Sequence, residues 1–544
     1  MGTVKESGIE LPEGYLQVPA RFNMAVHAVD RHVKEGRGNN VAIYDGEKKI
    51  TFAELMALEN KFGNVLKNLG VKKDDAFLIR SSNCVAVFAA VLGGMKIGAV
   101  PIPTNTMFRT REMEHILKNS DAVLALSTPE LVDVIEEVKD KCPTLKHIML
   151  IGGEKPGCLS YDKLMKDASP KLEAEDTSKD DRSYILYTSG TTGNPKGVEH
   201  AHRWLIGSGD PIAKLALRLT PQDIVLHPQE ISFMFPFGNS FFYPFHCGSA
   251  VVLYYGRFNP DTVFKFVQKY KVTVLNGVPT MYRMLLAEKG TEKKYDLSSL
   301  KLCHSAGEPL PAESFNEFLH RFGVKIYDCL GQTEPHEFVG NIPGWEIKPG
   351  SMGKPFPGVD VRILDDDQNE CPVGETGEIA INRNHPGLFL SYRKMPEREE
   401  QVLRGEWYYT QDKAYKDEDG YFWYVSRSDD LIKSRGYLIS PKEVEEACVE
   451  LPWVLEAAAV GSPDPLMGQK VKVFVTMREK KETSQELAES VIEHIKARLA
   501  PYKAPKEVEF VEELPKTATG KIRRKVLKEL EEQRYKEKLA EAAQ

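Results

Sequence analysis

One loop rich in glycines and hydroxyl groups constrains this chain more than any other stretch. Residues 187–197 read Tyr-Thr-Ser-Gly-Thr-Thr-Gly-Asn-Pro-Lys-Gly and follow the short apolar run 183–186, which is typical of a strand. Glycines permit positive φ and close backbone approach. Successive amides in such a loop form a concavity that suits phosphate oxygens. The pattern predicts a strand, then a phosphate-binding loop, then a helix beginning near Val198.

The spacing within this loop excludes a Walker A nucleotide site. That pattern needs Gly, four residues, then Gly-Lys-Ser/Thr, whereas here Pro195 precedes the lysine and Gly197 follows it. A surface turn is the alternative, but a loop of this length directly after a strand favours phosphate. The candidate phosphate-binding groups are Thr188, Ser189, Gly190, Thr191, Thr192, Gly193 and Lys196.

The length, net charge and cysteines of the chain limit which classes of protein it can belong to. A chain of 544 residues is too long for one compact core, so we expect two or more domains. Its 72 basic and 79 acidic side chains give a net charge of -7, which offers no electrostatic reason to expect nucleic acid. The eight cysteines are scattered and are typical of reduced thiols in an intracellular protein.

The sequence shows no targeting or membrane segment. The N-terminus lacks an apolar signal, and the longest apolar run, 85–95, is too short to span a bilayer and stops at Lys96. We therefore expect a cytoplasmic protein that does not act at a membrane.

Strand-like and helical patterns alternate along the chain. Apolar runs at 75–80, 98–103, 122–126 and 147–151 predict strands, and 85–94 predicts a helix between two of them. This alternation favours a parallel α/β sheet. Later strand-like runs, at 272–275, 300–304 and 324–330, each end in a polar loop that contains glycine. Ligands bind at the carboxyl ends of strands in open α/β sheets.

The order of these blocks resembles the adenylate-forming superfamily, which includes acyl-CoA synthetases, adenylation domains of peptide synthetases and luciferases. The resemblance extends from about residue 15 to 525. It implies an α/β fold with a large N-terminal domain, 1–428, of parallel and mixed sheets with helices plus a distorted barrel-like subdomain. It also implies a small mobile α+β C-terminal domain, 429–544.

The same resemblance assigns roles around ATP. The Gly307-Glu308-Pro309 turn is expected at adenine, and Asp328 lies beside the nucleotide. Thr333 is expected at the α-phosphate and Glu334 at Mg²⁺, while the 187–197 loop, with Thr188 and Lys196 as catalytic groups, holds the phosphates. The remaining ribose and cofactor contacts are expected at Asp412, Arg427 and Lys433.

The C-terminal motifs complete the resemblance. Asp429 matches the hinge residue, and Gly436 matches a glycine that leaves room for the pantetheine of CoA. Lys521, in Pro-Lys-Thr-x-x-Gly-Lys, matches the catalytic lysine. Residues 471–475 alternate like an exposed edge strand.

Two positions depart from the family pattern. Leu330 stands where the family often has an aromatic shelf for the base, although the aryl-acid branch is also aliphatic at this point. Gln411 replaces a glycine. Six aromatic residues within 231–243 are mostly core, but a glycine beside aromatics can open a slot for a flat group. The candidate acid-pocket residues are Phe237, Gly238, Val278, Leu330, Gly331 and His336.

The resemblance implies an AMP-forming carboxylate–CoA ligase. An organic acid would attack the α-phosphorus of ATP to give an acyl-adenylate and pyrophosphate, and the acyl group would then pass to CoA. The acid is expected to be aromatic or alicyclic, such as benzoate or a cyclohexene carboxylate, or short to medium in chain length. Partners are therefore the acid, ATP and CoA, with a homodimer left open. A stand-alone enzyme that loads a carrier protein and a non-catalytic nucleotide-binding protein are the alternatives.

Overall fold

The computed structural model describes residues 5–6, 9–188, 194–427, 430–434, 437–465, 467–479, 483–499, 503–517 and 520–542. These residues form two compact units. The large unit comprises Met1–Val361 and Ile381–Tyr408, and the small unit comprises Arg362–Ala380 and Tyr409–Gln544. The domain boundary at residue 429 stays a prediction.

A five-stranded parallel sheet confirms the alternation read from the first part of the chain. Strands Ala76–Arg80, Val100–Pro103 and Leu124–Ser127 are buried at every residue, which is typical of parallel strands covered on both faces. In spatial order the strands are Val100–Pro103, Ala76–Arg80, Leu124–Ser127, His147–Leu150 and Leu159–Ser160. Helices Val85–Lys96, Thr110–Ser120 and Asp133–Lys139 lie between these strands in the chain. Helix Phe52–Asn68 precedes the first strand, and helix Tyr161–Asp167 follows the last.

A nine-stranded sheet forms the centre of the large unit. Its inner strands are parallel, and antiparallel pairs close both edges. The order is Lys354–Pro355, His336–Gly340, Ile326–Gln332, Leu302–Ala306, Val274–Gly277, Ile224–Leu226, Ala250–Val252, Val41–Asp45 and Lys48–Thr51. Helices Pro260–Tyr270, Pro279–Ala287, Thr291–Lys294 and Ala312–Phe322 accompany this sheet. The predicted strands at 272–275, 300–304 and 324–330 lie side by side, so their carboxyl ends meet at one edge.

The helix predicted to begin near Val198 is wrong. Residues Lys196–Ala201 instead form a strand that pairs antiparallel with Arg182–Thr188, and Ser391–Tyr392 joins on the other side. Val198 and Ala201 are buried in this three-stranded sheet. Because the partner strand supplies hydrogen bonds to the whole segment, tertiary pairing overrides the local pattern. Helix Trp204–Gly209 follows the strand.

The aromatic segment forms short consecutive helical turns. They are Met234–Phe237, the π-helical Gly238–Phe242, and Tyr243–Cys247. Further π-helical turns are Val26–Asp30, before helix Arg31–Lys34, and Asp210–Ala216. Most of the aromatic rings are buried, as expected for core packing.

The strand-rich segment before the C-terminal region contains a half-barrel sheet. Its strands are Val361–Leu364, Gly377–Asn382, Leu403–Arg404, Trp407–Lys416 and Phe422–Arg427. Helix Pro396–Val402 lies beside them in the chain. Within the small unit, residues 412–416 and 422–427 pair as an antiparallel hairpin.

The C-terminal region is α+β, as predicted. Its strands are Ile432–Ser434, Tyr437–Ile439, Val454–Asp464, Gly468–Met477 and Glu507–Phe510, and its helices are Pro441–Val449, Gln485–Arg498 and Arg524–Ala542. With the mixed α/β large unit, this confirms the predicted fold class. The mobility of the C-terminal region stays a prediction.

The exposed edge predicted at 471–475 is wrong. Strand Gly468–Met477 is interior, with Val454–Asp464 on one side and Glu507–Phe510 on the other. Lys472, which made the pattern look half-exposed, is buried. Its ammonium group lies 2.8 Å from carboxylate oxygens of both Glu509 and Glu531. A buried lysine with two acidic partners therefore produced the misleading alternation.

Candidate active site

A β-hairpin brings the two ends of the predicted phosphate loop together. Thr188 ends strand Arg182–Thr188 and lies directly opposite Lys196 in the antiparallel register. The hydroxyl Oγ1 of Thr188 is buried and has no hydrogen-bond partner among the described residues. Ser189, Gly190, Thr191, Thr192 and Gly193 lie outside the described residues, so their predicted roles are not tested.

The half-buried Lys196 and the buried Glu334 and Tyr392 form a trio beside this hairpin. Nζ of Lys196 lies 2.7 Å from Oε1 of Glu334, and the Tyr392 hydroxyl donates to the same oxygen at 2.6 Å. The ammonium group also lies 4.6 Å from the centre of the Tyr392 ring. The trio joins two residues that the sequence placed in separate motifs.

The trio keeps Glu334 ionised. Burial raises the pKa of this carboxyl group, but the charge of Lys196 and hydrogen bonds from Lys196 and Tyr392 outweigh that effect, so its pKa lies below the ordinary value. Burial raises the pKa of Tyr392 well above its ordinary value, so its hydroxyl keeps the proton it donates. The site thus holds a carboxylate with an adjacent cation at neutral pH.

A tight turn between two strands positions Glu334. Gln332 and His336 are paired across the turn, and His336 has a left-handed φ of 57°. Nε2 of His200 lies 2.9 Å from the carbonyl oxygen of Thr333. Since burial lowers the pKa of His200 to about 3, the ring is neutral at pH 7 and donates to that carbonyl. The hydrogen bond from His200 to the backbone carbonyl of Thr333 therefore helps to fix this turn.

The strand ends place the predicted adenine and nucleotide residues along one edge. Gly307 has a φ of 92°, a conformation that favours glycine. The Glu308 carboxylate accepts from the Thr280 hydroxyl at 2.9 Å and lies 3.7 Å from the Arg283 guanidinium. Asp328 is buried, and its carbonyl oxygen accepts from the Asn341 backbone at 3.0 Å. Pro309 directly follows this acidic turn.

The predicted acid-pocket residues cluster near the Glu334 turn. A Cβ at Gly238 would lie 2.8 Å from the Tyr243 ring and 2.9 Å from the His336 ring. The Tyr243 hydroxyl lies 2.5 Å from Nδ1 of His336. Phe237 packs on Tyr184 with ring centres 4.5 Å apart. Gly238 is thus required by close aromatic packing.

Residues Leu330 and Gly331 lie on the strand that leads into the turn. A Cβ at Gly331 would lie 2.7 Å from the carbonyl oxygen of His336, so only glycine fits there without a shift. Leu330 is half-buried, and Val278 is buried next to the end of strand Val274–Gly277.

The small unit contains the predicted ribose residues. Asp412 and Arg427 face each other across the hairpin, with their charged groups 3.9 Å apart. Gln411 has a φ of 65°, so its backbone keeps the left-handed conformation that a glycine would adopt freely. Its N–H donates to Glu378 at 2.8 Å. The departure from glycine therefore leaves the turn beside Asp412 intact.

The C-terminal candidate residues are described only in part. Lys521 is exposed, and its backbone N–H donates to the Thr517 hydroxyl at 3.1 Å. Lys433 lies in strand Ile432–Ser434. Asp429 and Gly436 lie outside the described residues, so the hinge and pantetheine roles stay predictions.

Sequence reasoning missed several groups that complete this region. Tyr392 sat in no recognised motif. Buried polar residues Asn239, His304 and Glu337 were passed over because they lie in or beside apolar segments. A histidine within the otherwise apolar strand Leu302–Ala306 was the available signal, since a buried polar group needs a partner.

Comparisons with known proteins agree with this arrangement. A family model described as AMP-binding enzyme matches residues 29–393, and its C-terminal-domain model matches 443–521. The chain belongs to the AMP-binding enzyme family. This is a family of ATP-dependent, AMP-forming acyl-CoA ligases, so the predicted family and enzyme class are confirmed.

Individual relatives extend over nearly the whole chain. An uncharacterized acyl–CoA ligase, YtcI, of Bacillus subtilis (strain 168) is 39% identical over 95% of this chain and 98% of its own length. A benzoate–CoA ligase of Thauera aromatica is 35% identical over 94% of this chain and 96% of its own length. The crystal structure of the anthranilate CoA ligase AuaEII with anthranoyl-AMP matches with a TM-score of 0.89 and 34% sequence identity. The match covers 96% of this chain and 99% of that one.

Two further findings concern the described part of the chain. No helix there is long and apolar enough to cross a membrane. No group of three or more His, Cys, Asp or Glu side chains among those residues forms a metal site by itself. Any Mg²⁺ bound at Glu334 would therefore take further ligands from phosphate oxygens and water, which is its usual behaviour.

Proposed function

We propose that this protein joins a compact carboxylic acid, aromatic or alicyclic or of short to medium chain length, to CoA through an acyl-adenylate. The observation that carries the proposal is the Lys196–Glu334–Tyr392 trio beside the hairpin that joins the two ends of the predicted phosphate loop. The trio places a fixed cation and an ionised carboxylate where a strand meets a loop rich in amides, which suits a polyphosphate.

Charge stabilisation is the main chemical task of this site. A carboxylate must approach the α-phosphorus of ATP, so two anions meet and positive charge is needed. Lys196 and the loop amides would bind the departing pyrophosphate and stabilise the charge that develops on it. Glu334 fits Mg²⁺ because it is buried and ionised; the bound ion would neutralise charge on the phosphates.

Two C-terminal residues are assigned to separate half-reactions. We assign Lys521 to acyl-adenylate formation, where its ammonium group would bridge the substrate carboxylate and the α-phosphate. We assign Gly436 to thioester formation, where the absence of a side chain would admit pantetheine. Asp412 and Arg427, which face each other in one hairpin, would bind the ribose.

The preference for a compact, ring-bearing acid is supported by packing. Tyr243 and His336 pack against Gly238, and Phe237 packs on Tyr184, so this region is rich in rings that would suit a flat acid. The relatives named for benzoate and anthranilate favour the same class. A cytoplasmic location is supported by eight cysteines that are all free thiols. The homodimer stays a prediction.

The deciding experiment measures both half-reactions on the purified protein. ATP–pyrophosphate exchange with a panel of benzoates, cyclohexene carboxylates and straight-chain acids tests adenylation, and acyl-CoA formation with free CoA tests transfer. Exchange without acyl-CoA would favour an enzyme that loads a carrier protein. ATP binding without exchange for any acid would favour the non-catalytic alternative.

A further inference from the structure

Five buried polar residues lie together next to the predicted acid pocket. We call them the polar cluster: Asn239, Asn276, His304, His336 and Glu337. Each side chain is at most 2% exposed. Aromatic rings surround them, including Phe235, whose centre is 5.6 Å from that of His304. A carboxylate in such an environment is unusual, because burial of charge is costly unless the charge is paired.

The Glu337 carboxylate is the charged centre of the polar cluster. Its Oε1 lies 2.9 Å from Nε2 of His304. Oε2 contacts Nδ2 of Asn239 at 3.5 Å, the long limit of a hydrogen bond, and lies 3.9 Å from Nδ1 of His336. Burial raises the pKa of Glu337, but His304, His336 and Asn239 outweigh it and hold the pKa below the ordinary value. Oε2 therefore keeps capacity for a stronger donor.

Two further oxygens in the polar cluster are acceptors without a partner. Nδ2 of Asn276 donates to the Asn239 backbone carbonyl at 3.1 Å. The side-chain oxygens Oδ1 of Asn239 and of Asn276 are buried and find no hydrogen bond among the described residues. Together with Oε2 of Glu337, they make the polar cluster rich in acceptors. Buried acceptors are normally satisfied by a donor.

The polar cluster adjoins residues already predicted to line the pocket. A Cβ at Gly331 would lie 2.9 Å from Cγ of Glu337, so Glu337 lies directly against this position. Asn239 follows Gly238, and Asn276 lies in strand Val274–Gly277, next to Val278. Asn276 and Gly331 lie near the carboxyl ends of strands Val274–Gly277 and Ile326–Gln332, the edge at which ligands bind in open α/β sheets. Asn239 and Glu337 contact this edge through Asn276 and Gly331.

We propose that the acid substrate carries a hydroxyl or amino group, and that Glu337, with Asn239 and Asn276, selects it by accepting its hydrogen bond. This inference rests on the proposed function and deepens it. A ring acid without such a donor would leave the buried acceptors unpaired. Sites built to bind a substrate O–H or N–H discriminate strongly against analogues that lack it, by as much as about 10⁴-fold.

The test compares kcat/KM for adenylation across matched acids. ATP–pyrophosphate exchange is measured with benzoate and with its 2-, 3- and 4-hydroxy and amino derivatives. We expect at least one substituted acid to exceed benzoate by about 100-fold or more. In Glu337→Gln, which replaces one acceptor oxygen by an amide donor, we expect that ratio to fall at least tenfold, chiefly through KM.

Glu59→Gln is the matched control. Glu59 is also a buried carboxylate, but it pairs with Lys96 at 2.9 Å and takes no part in the polar cluster. Loss of a buried, hydrogen-bonded carboxyl group should lower stability in both variants, whereas only Glu337→Gln should change the ratio between acids.

The outcomes separate the two proposals. Failure of every acid in the panel to support ATP–pyrophosphate exchange would reject the proposed function. Exchange in which benzoate equals or exceeds every hydroxy and amino derivative would reject the selection of a donor-bearing acid while leaving the ligase function standing. A substrate ratio that falls equally in Glu337→Gln and Glu59→Gln would also overturn the role of Glu337.

Discussion

Removal of one hydroxyl group, in Tyr392→Phe, tests whether the trio tunes Glu334. The hydroxyl donates to Oε1 of Glu334 at 2.6 Å, and the carboxylate side chain is only 6% exposed. A hydrogen bond to a charged group contributes about 1.5–3 kcal/mol. We assume that the whole contribution stabilises the active form of the site, in which Glu334 is ionised. Its loss then lowers kcat/KM by about 10- to 150-fold, since 1.36 kcal/mol corresponds to tenfold.

The substitution should also shift the pH profile of kcat/KM, in a direction that follows from the pKa of Glu334. The pKa of Glu334 is depressed in the folded protein, in part by Tyr392. Without the hydroxyl the pKa rises, so the carboxylate becomes protonated at higher pH than in the parent. The acid limb of kcat/KM for ATP–pyrophosphate exchange should therefore move to higher pH, and activity should be lost earlier as pH falls.

Tyr270→Phe is the control for this experiment. Its hydroxyl donates to the carbonyl oxygen of Gly46 at 2.8 Å rather than to a carboxylate. The Tyr270→Phe substitution should lower the free energy of unfolding by about 1 kcal/mol and leave the acid limb of the kcat/KM profile in place. An unmoved acid limb in Tyr392→Phe, with kcat/KM reduced no more than in Tyr270→Phe, would refute the reasoning.

Three further predictions use independent readouts. Lys521→Ala should abolish acyl-adenylate formation yet spare thioester formation from supplied acyl-adenylate, and Gly436→Leu should do the reverse; equal damage to both half-reactions in each variant would contradict the division of roles. Burial lowers the pKa of His202 to about 3, below the unfolded value of about 6.5, so stability falls as pH drops through that interval. In His202→Gln the fall in melting temperature between pH 7 and pH 5 should be smaller, and an identical fall would count against it. Gly331→Ala should destabilise the protein by about 1–3 kcal/mol, because its Cβ would lie 2.7 Å from a carbonyl oxygen; Gly38→Ala, whose Cβ meets atoms no closer than 3.4 Å, should cost less in urea denaturation, and equal losses would refute the packing argument.

Local sequence patterns correctly predicted the helices and strands that are set by neighbouring residues in the chain. The buried strands, Arg182–Thr188 among them, and the helix Val85–Lys96 follow from continuous apolar runs. The same information failed at Val198 and Lys472. Val198 belongs to a strand because distant segments pair with it, and Lys472 is buried because two acidic side chains surround its charge.

The sequence by itself determined the family, the order of the motifs and the identity of Lys196 and Glu334 as candidate groups. Tertiary structure decided which groups share one site. Lys196 and Glu334 are 138 residues apart, and Tyr392 is a further 58 residues along the chain, yet all three meet at one oxygen atom. Glu337 and Asn239 come together across 98 residues in the same way. Such contacts depend on how strands are ordered in a sheet, and no local pattern of residues encodes that order.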